Sequence, residues 1–128
     1  MTYQITADQV ASRILDGEAV LIHYGSSEYF SLNRAGTWVW EALDASPRAD
    51  GDVSKVLSAH FQLDESETGG QIQAFFRELE EAGLISSVDQ SQAEAAAVQL
   101  DASGIDWEYD PPQLTKCGDL ETLILSGE

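Results

Sequence analysis

The first third of the chain alternates apolar and polar positions with the two-residue period of β-strands. Residues 10–14 form a short alternating segment, residues 18–24 are rich in side chains that suit a pleated sheet, and residues 28–32 carry two aromatic side chains. Turn residues separate the three segments, and Gly17 stands where a tight hairpin needs a positive φ. Three strands joined by tight turns predict an antiparallel meander.

The apolar positions then recur at the three- and four-residue spacing of α-helices. Asn33 precedes the first helical stretch as an N-cap, because its side-chain oxygen can accept from the free amides of the first turn. Asp52 is expected to cap a second helix, and Asp64 or Ser66 to open a third. The apolar stripes of the three helices are Ala35, Trp38, Val39, Ala42 and Leu43; Val53, Val56, Leu57 and Phe61; and Ile72, Phe75, Phe76 and Leu79.

Glycines bear on both ends of the third predicted helix. Gly69 and Gly70 are costly inside a helix, so we expect this helix to start properly only near Gln71. Gly83 stands where a helix needs a left-handed residue at its C-terminus, and two apolar residues then return to the core. Three strands followed by three helices predict an α+β fold.

The character of the sequence changes after Ile85. A stretch rich in Ser, Gln, Ala and Asp follows, after which large apolar side chains return. The returning residues are Trp107, Tyr109, Leu114, Leu120, Leu123, Ile124 and Leu125. A disordered tail has little need of such side chains, so we expect them to be buried against another surface. Residues 1–88 are therefore predicted to form a compact domain, 89–106 a linker and 107–128 a peptide segment.

Charge narrows the choice of partners. The net charge is −17, with only six basic residues among the 128. Nucleic acids and anionic membrane surfaces are poor partners for such a protein, because both are bound through Lys and Arg. The N-terminus lacks the features of a signal peptide, and no apolar run approaches the ~20 residues that span a bilayer. We therefore expect a soluble cytoplasmic protein.

Candidate catalytic and metal-binding residues are few. Cys117 is the single cysteine, which excludes an internal disulfide and a cysteine-based zinc site. His23 and His60 have no partner at ligand spacing. The sequence holds no nucleophile–base pair, phosphate-binding loop or metal cluster, and we predict a non-catalytic protein without a cofactor or metal.

Three motifs occur in order between roughly residues 8 and 88. They are a tyrosine-containing strand leading to Leu32 and Asn33, a Gly and a Trp in the first predicted helix, and a closing Leu-x-x-x-Gly-Leu that starts at Leu79. In these motifs the chain resembles the PqqD family of peptide-modification chaperones. The resemblance implies a RiPP recognition element, a small winged helix-turn-helix-like domain with three strands and three helices.

The same resemblance implies a peptide-binding function. Such domains bind the leader segment of a ribosomally made precursor peptide and present its core to modifying enzymes. The leader is expected to add as an extra strand to the edge of the third strand, against the third helix. The peptide-binding residues implied are Glu28, Tyr29, Phe30, Ser31 and Leu32 from the strand, and Ile72, Phe75, Phe76 and Leu79 from the helix.

Adjacent aromatic residues on a helix point in different directions. We therefore expect at most one of Trp38 and Trp40 in the deep core. Of Phe75 and Phe76, one is expected in the core and the other is a candidate for the peptide groove.

The peptide segment carries a second resemblance. Tyr109, Pro112, Leu114 and Gly118 stand at a spacing that looks like the leader motif of lasso-peptide precursors. Tyr109 and Leu114 are the expected anchors, since burying a Leu side chain contributes roughly 1.5–3 kcal/mol and a buried tyrosine also needs a hydrogen-bond partner. Pro112 cannot donate to a strand ladder, and a glycine at position 118 permits close backbone approach.

The segment also departs from that leader pattern. A precursor leader closes with Thr next to last, where this sequence has Ile124 or Leu125, and no core peptide follows Glu128. We therefore expect the segment to be recognised but not processed. Its tether of about 23 residues spans on the order of 25 Å as a coil and raises the local concentration of the segment to about millimolar.

The two resemblances, together with the lack of catalytic motifs, imply a non-catalytic adaptor of lasso-type RiPP biosynthesis. Its expected partners are a precursor leader, in cis or from a neighbouring chain, and a leader protease or cyclase. Two alternatives stay open. One is a winged-helix DNA-binding regulator, although the third helix offers only Arg77 beside the carboxylates of Glu78, Glu80 and Glu81. The other is an adaptor autoinhibited by its own tail.

Overall fold

A computed structural model describes residues 2–6, 8–45, 48–88, 105 and 107–119. Nearly all of the predicted linker lies outside the described residues. So does the end of the tail, including the apolar residues Leu120, Leu123, Ile124 and Leu125.

The described residues form a mixed α+β fold with three helices and antiparallel sheets, in agreement with the predicted class. In chain order the elements are β1 (Thr2–Ile5), β2 (Val10–Leu15), β3 (Glu18–His23), β4 (Glu28–Leu32), α1 (Arg34–Ala45), β5 (Arg48–Ala49), α2 (Asp50–Phe61), α3 (Glu65–Glu81), β6 (Ile85–Val88) and β7 (Leu114–Asp119). None of the described helices has the length and apolar character needed to cross a membrane.

The predicted meander is present as β2, β3 and β4. Asp16 and Gly17 join the first two strands in a two-residue turn, with φ of 53° and 81°. Both central residues of such a hairpin need a positive φ because the turn must match the right-handed twist of the strands. In the second turn the positive φ falls on Ser27, at 59°, and not on Gly25.

A second sheet, in the order β5-β1-β6, was not predicted from the sequence. Its central strand β1 is four residues long, and β6 begins with a single buried residue followed by two serines. Short strands of this kind give no clear alternation. The Thr6 hydroxyl adds to the pairing, because it donates to the carbonyl oxygens of Gly83 and Leu84 at 2.8 and 3.0 Å. The N-terminus is thereby joined to the end of the domain.

Helix α1 begins where predicted. The Asn33 side-chain oxygen accepts from the Gly36 amide at 2.9 Å, which is the geometry of an N-cap. The positive φ expected at Gly83 is also confirmed, at 78°.

The predicted cap of the second helix and the predicted late start of the third near Gln71 were wrong, whereas the predicted opening of the third helix at Asp64 is confirmed. Helix α2 begins at Asp50, two residues before the predicted cap, and Ala49 at its N-cap makes no side-chain bond. Strand β5 fixes the backbone there by pairing with β1. Helix α3 runs from Glu65 straight through Gly69 and Gly70. The Asp64 side chain caps it by accepting from the Glu67 amide at 3.0 Å, and that cap supports the turns before the glycines.

The two adjacent aromatic pairs behave differently. Trp40 is buried and Trp38 is only partly so, as expected. Phe75 and Phe76 are both fully buried with the tail in place, so both lie in the core, and the groove role of one of them stays a prediction. Phe76 packs edge-on against Tyr3 of β1 at 5.2 Å between ring centroids, and β1 is the strand that the sequence analysis missed.

Candidate peptide-binding site

The C-terminal strand β7 pairs with β4 in an antiparallel ladder. The four-stranded sheet therefore has the order β2-β3-β4-β7, and β7 also lies against α3. In register, Leu114 faces Leu32, Thr115 faces Ser31, Lys116 faces Phe30, Gly118 faces Tyr29 and Asp119 faces Glu28. The edge of β4 is thus covered by a strand from the same chain.

The ladder contains an irregularity in its second half. The register shifts between Tyr29 and Phe30, so that Cys117 has no Cα partner on β4. An extra residue of this kind bends a strand and increases its twist. Gly118 follows directly after the extra residue.

Asn33 holds the tail just beyond the other end of the ladder. Its side-chain Nδ2 donates to the Pro111 carbonyl at 2.8 Å, and its Oδ1 accepts from the Gln113 amide at 3.0 Å. Its backbone N–H donates to the Gln113 carbonyl at 3.4 Å. Pro112 lies buried between the two residues that Asn33 binds. The backbone on both sides of the proline is therefore hydrogen-bonded to one residue.

Tyr109 binds between helices α2 and α3. Its hydroxyl donates to Oε1 of Gln71 at 2.7 Å, and its ring lies 5.4 Å from that of Phe61 between centroids. Burial raises the pKa of the Tyr109 hydroxyl, and the carboxylates of Asp110 and Glu67 raise it further. The hydroxyl is therefore held in its neutral, donating form.

Phe61 also contacts a second aromatic residue of the tail. Its ring lies 5.5 Å from that of Trp107 between centroids, and the ring of His60 packs edge-on against it at 4.8 Å. Phe61 thus lies within contact range of two aromatic side chains of the tail. Ring pairs at such separations are typical of favourable aromatic contacts.

Leu114 packs with Tyr109 against the hydrophobic core and is half-buried. These are the two residues predicted as anchors. The core beneath them includes all four helical residues predicted for peptide binding, which are Ile72, Phe75, Phe76 and Leu79. Those four are fully buried, whereas the residue of α3 that hydrogen-bonds the tail is Gln71.

The strand residues predicted for peptide binding divide between two environments. Phe30 and Leu32 are buried, while Glu28, Tyr29 and Ser31 are half-buried. All five face the tail through the backbone register of β4 and β7.

An ion pair joins the tail to the sheet. The Lys116 ammonium binds the Glu28 carboxylate. Hydrogen bonds from Lys116 and Ser26 lower the pKa of Glu28, and the charges of Lys116 and His23 lower it further. Lys116 is the only basic residue in the last 50 of the sequence, so this contact uses the one cation that the tail has.

Sequence reasoning missed three residues that contact the tail, Asn33, Phe61 and Gln71. Asn33 was identified as a helix cap, and its second role depends on where residues 111–113 lie. Phe61 was assigned to the core, and Gln71 only to a helix start. A tyrosine in a peptide motif signals that a hydrogen-bond partner exists, but the sequence does not say which residue it is.

A cavity of about 370 Å³ lies beside the start of the tail. Arg34, Trp38, Glu41 and Trp107 contribute to its lining. Within the part of the chain that the structure describes, no three His, Cys, Asp or Glu side chains are grouped to hold a metal ion. The contacts between tail and domain are hydrogen bonds, aromatic and apolar packing, and an ion pair, which together bind a peptide.

Comparisons with known proteins give the family and the fold of the chain. The family model for PqqD, described as coenzyme PQQ synthesis protein D, matches residues 18–85, more than half of the chain. The search of curated proteins gives no match. Among solved structures, TbiB1 in complex with the TbiA(beta) leader peptide is similar, with a TM-score of 0.60 and 24% sequence identity over 67% of this chain and 98% of that chain. At this identity the similarity establishes a shared fold.

Proposed function

The chain belongs to the PqqD family, and we propose that it is a non-catalytic adaptor, a RiPP recognition element. It binds the leader segment of a ribosomally synthesised precursor peptide by strand addition and presents that peptide to a leader protease, a cyclase or another modifying enzyme. Because such precursors are made on ribosomes, it acts in the cytoplasm.

The antiparallel pairing of β7 with β4 is the observation that carries this proposal. Strand addition provides affinity through backbone hydrogen bonds and specificity through contacts with individual side chains. The tail makes both kinds of contact, with the ladder on β4 and the Tyr109 hydroxyl on Gln71. TbiB1, which shares the fold, was solved with a leader peptide bound, which supports a peptide partner here.

We assign the precursor to the lasso type. The tail carries Tyr109, Pro112, Leu114 and Gly118 at the spacing of a lasso leader. The peptide-binding residues proposed from the sequence are those of Glu28–Leu32 together with Ile72, Phe75, Phe76 and Leu79, to which the contacts described above add Asn33, Phe61 and Gln71.

We classify the meander β2–β4 with α1–α3 as winged helix-turn-helix-like. A DNA-binding role is disfavoured by charge. The protein carries a net charge of −17, and Arg77 of α3 stands beside Glu78 and Glu80. Binding to a phosphate backbone depends on clustered Lys and Arg, which this helix lacks.

A second candidate function is an adaptor inhibited by its own tail. The observation that favours it is that the strand on the β4 edge comes from the same chain. A free leader must then displace β7 before it can bind. Because the tail is tethered, its local concentration is about millimolar, and a free leader competes against that value.

The test uses the full chain and a fluorescent synthetic peptide of residues 105–128. Tyr109→Ala and Leu114→Ala in the chain weaken its own tail and expose the groove. We expect this double variant to bind the wild-type peptide at micromolar concentration or tighter, by fluorescence polarisation. A peptide carrying the same two substitutions is the matched control and should not bind.

Three outcomes separate the candidates. Absence of binding to the double variant at high micromolar peptide contradicts the adaptor. Binding to the double variant that is much weaker in the wild-type chain supports inhibition by the tail. Retention of a DNA fragment at physiological salt supports the regulator instead.

A further inference from the structure

Asn33 lies where three parts of the molecule meet: the end of β4, the start of α1 and the tail. Among the described residues, two of its hydrogen bonds join α1 and three join the tail. Its side-chain oxygen and its carbonyl oxygen accept from the Gly36 and Thr37 amides of α1, and the other three bonds are to Pro111 and Gln113. A helix start requires only the first two of these bonds.

We propose that Asn33 sets the register of the bound leader by binding its backbone on both sides of Pro112. This inference deepens the proposed function and rests on it. Asn33 acts on a bound peptide and is a positioning and specificity residue.

The chemistry of the carboxamide explains why an asparagine stands here. The ladder of β4 ends at the pair of Leu32 and Leu114, because the chain then turns into α1. Pro112 has no N–H to extend the ladder. The Asn33 side chain offers a donor and an acceptor side by side, as a peptide unit does. It therefore supplements the backbone bond from the Asn33 N–H to the Gln113 carbonyl and continues the pairing to Pro111.

This contact selects the position of the proline. Asn33 accepts from the amide of residue 113 and donates to the carbonyl of residue 111. Any residue can supply the carbonyl, but a proline at position 113 cannot supply the amide. A leader shifted by one residue so that Pro112 takes the place of Gln113 would lose the bond. The side chains at positions 111 and 113 are exposed and are not read by this contact.

Two substitutions separate this role from capping. Asp and Ser are N-caps about as good as Asn, so Asn33→Asp and Asn33→Ser both keep α1 capped. A carboxylate has no donor and would turn an oxygen towards the Pro111 carbonyl. A serine hydroxyl is too short to reach both partners while it caps the helix. Both variants therefore weaken the tail contact selectively.

The measurement is hydrogen exchange of the full-length wild type and both variants at neutral pH. We expect amide protection in β7 to fall on the order of tenfold in each variant, since each loses one or two hydrogen bonds. Protection in the first turns of α1 and in β3 should stay at the wild-type value.

A composition-matched variant of the tail tests the bond between the amide at position 113 and Asn33. Exchanging the two residues Pro112 and Gln113 keeps the composition and removes the amide at position 113. We expect β7 protection to fall in the wild-type background and to fall by a smaller factor in the Asn33→Ser background, because the bond is already absent there.

The outcomes that overturn the inference are distinct. Equal β7 protection in the wild type and both Asn33 variants overturns it, and so does a parallel loss in α1 and β7, which would assign the effect to capping. An unprotected β7 in the wild-type chain would instead count against the proposed function, because the tail would then not be bound.

Discussion

Tyr109 shows how a single residue can combine packing and a polar contact. Tyr109→Phe keeps a ring beside Phe61 and leaves Oε1 of Gln71 without its donor. We expect the free energy of tail docking to weaken by about 0.5–1.5 kcal/mol, the usual net value of one hydrogen bond. Competition between the tail and the fluorescent peptide of residues 105–128 measures this change in the free energy of docking. The control is Gln71→Ala, which should cost less in the Tyr109→Phe background than in the wild type.

The same residue gives docking a dependence on high pH. The pKa of Tyr109 is raised in the docked state by burial and by the charges of Asp110 and Glu67. A raised pKa means that docking favours the neutral hydroxyl. This contribution is fully present below the usual value near 10 and is lost as the pH rises through the docked pKa. We expect Tyr109→Phe to lack this component, as judged by comparing β7 protection between pH 9 and pH 11.

Glu28 makes tail docking sensitive to low pH, and docking weakens here as the pH falls and not as it rises. Its pKa is lowered mainly by the hydrogen bond from Lys116, so its contribution is present above the usual carboxyl value and is lost as the pH falls through the lowered one. We expect Glu28→Gln to reduce both the acid sensitivity and the salt sensitivity of docking. Peptide competition at pH 7 and pH 4, at two salt concentrations, measures this. Lys116→Gln should give the same reduction, and an unchanged acid response would contradict the assignment.

At the scale of elements, helix α1 is packed closely at its first turn. A Cβ added at Gly36 would lie 3.1 Å from Phe75 Cζ, 3.1 Å from the Asn33 side-chain oxygen and 3.3 Å from the Leu32 Cβ. Gly36→Ala should therefore destabilise the fold by about 1–3 kcal/mol, as overpacking does. It should also reduce β7 protection, because it displaces the side chain that holds the tail.

Gly70 is the matched control for that substitution. It lies inside α3, and a Cβ there would meet nothing within 4 Å. Gly70→Ala should stabilise the protein by about 0.5–1 kcal/mol, because alanine loses less backbone entropy in a helix. Thermal or urea unfolding of both variants measures the difference. Destabilisation by Gly70→Ala would contradict this account of α3.

The element scale also shows what the sequence could and could not predict. Strand β4 and the start of α1 were predicted residue for residue, because Glu28–Leu32 alternates and Asn33 is a strong cap. The start of α3 was placed too late, since the propensity of Gly69 and Gly70 was outweighed by the cap at Asp64 and by packing. Strands β1 and β6 were missed because their stability comes from pairing with each other across about 80 residues of sequence.

The candidate site follows the same division. Tyr109 and Leu114 could be named as anchors from their chemistry, and both pack on the core. The residues that contact the tail could not be predicted in the same way. Phe61, Gln71 and Asn33 are brought to the tail by the tertiary structure and not by their positions in the sequence. The local sequence pattern predicts which side chains are buried or hydrogen-bonded. The tertiary structure determines which residues they contact.

For the whole molecule, the candidate function of an adaptor inhibited by its own tail predicts that the tether limits access of a free peptide to the groove. Cutting a protease site introduced within residues 89–104 should raise the apparent affinity for a free peptide of residues 105–128, on the order of tenfold or more. The reason is that the tail then competes at its bulk concentration and no longer at its tethered one. Fluorescence polarisation before and after cutting measures this, with uncut protein treated with inactive protease as the control. An unchanged affinity would show that the tail and the free peptide do not compete.

The covering of β4 by β7 has a consequence for solubility. A strand at the edge of a sheet exposes a row of unpaired N–H and C=O groups that can pair with the same strand of another molecule. In this chain that row is occupied by β7 from Leu114 to Asp119. A docked tail therefore moves the edge of the sheet from β4 to β7, a six-residue strand that carries Lys116, and short charged edge strands are less prone to pair with another molecule. The protein would then have to be kept at low concentration, or supplied with peptide, whenever the tail is displaced.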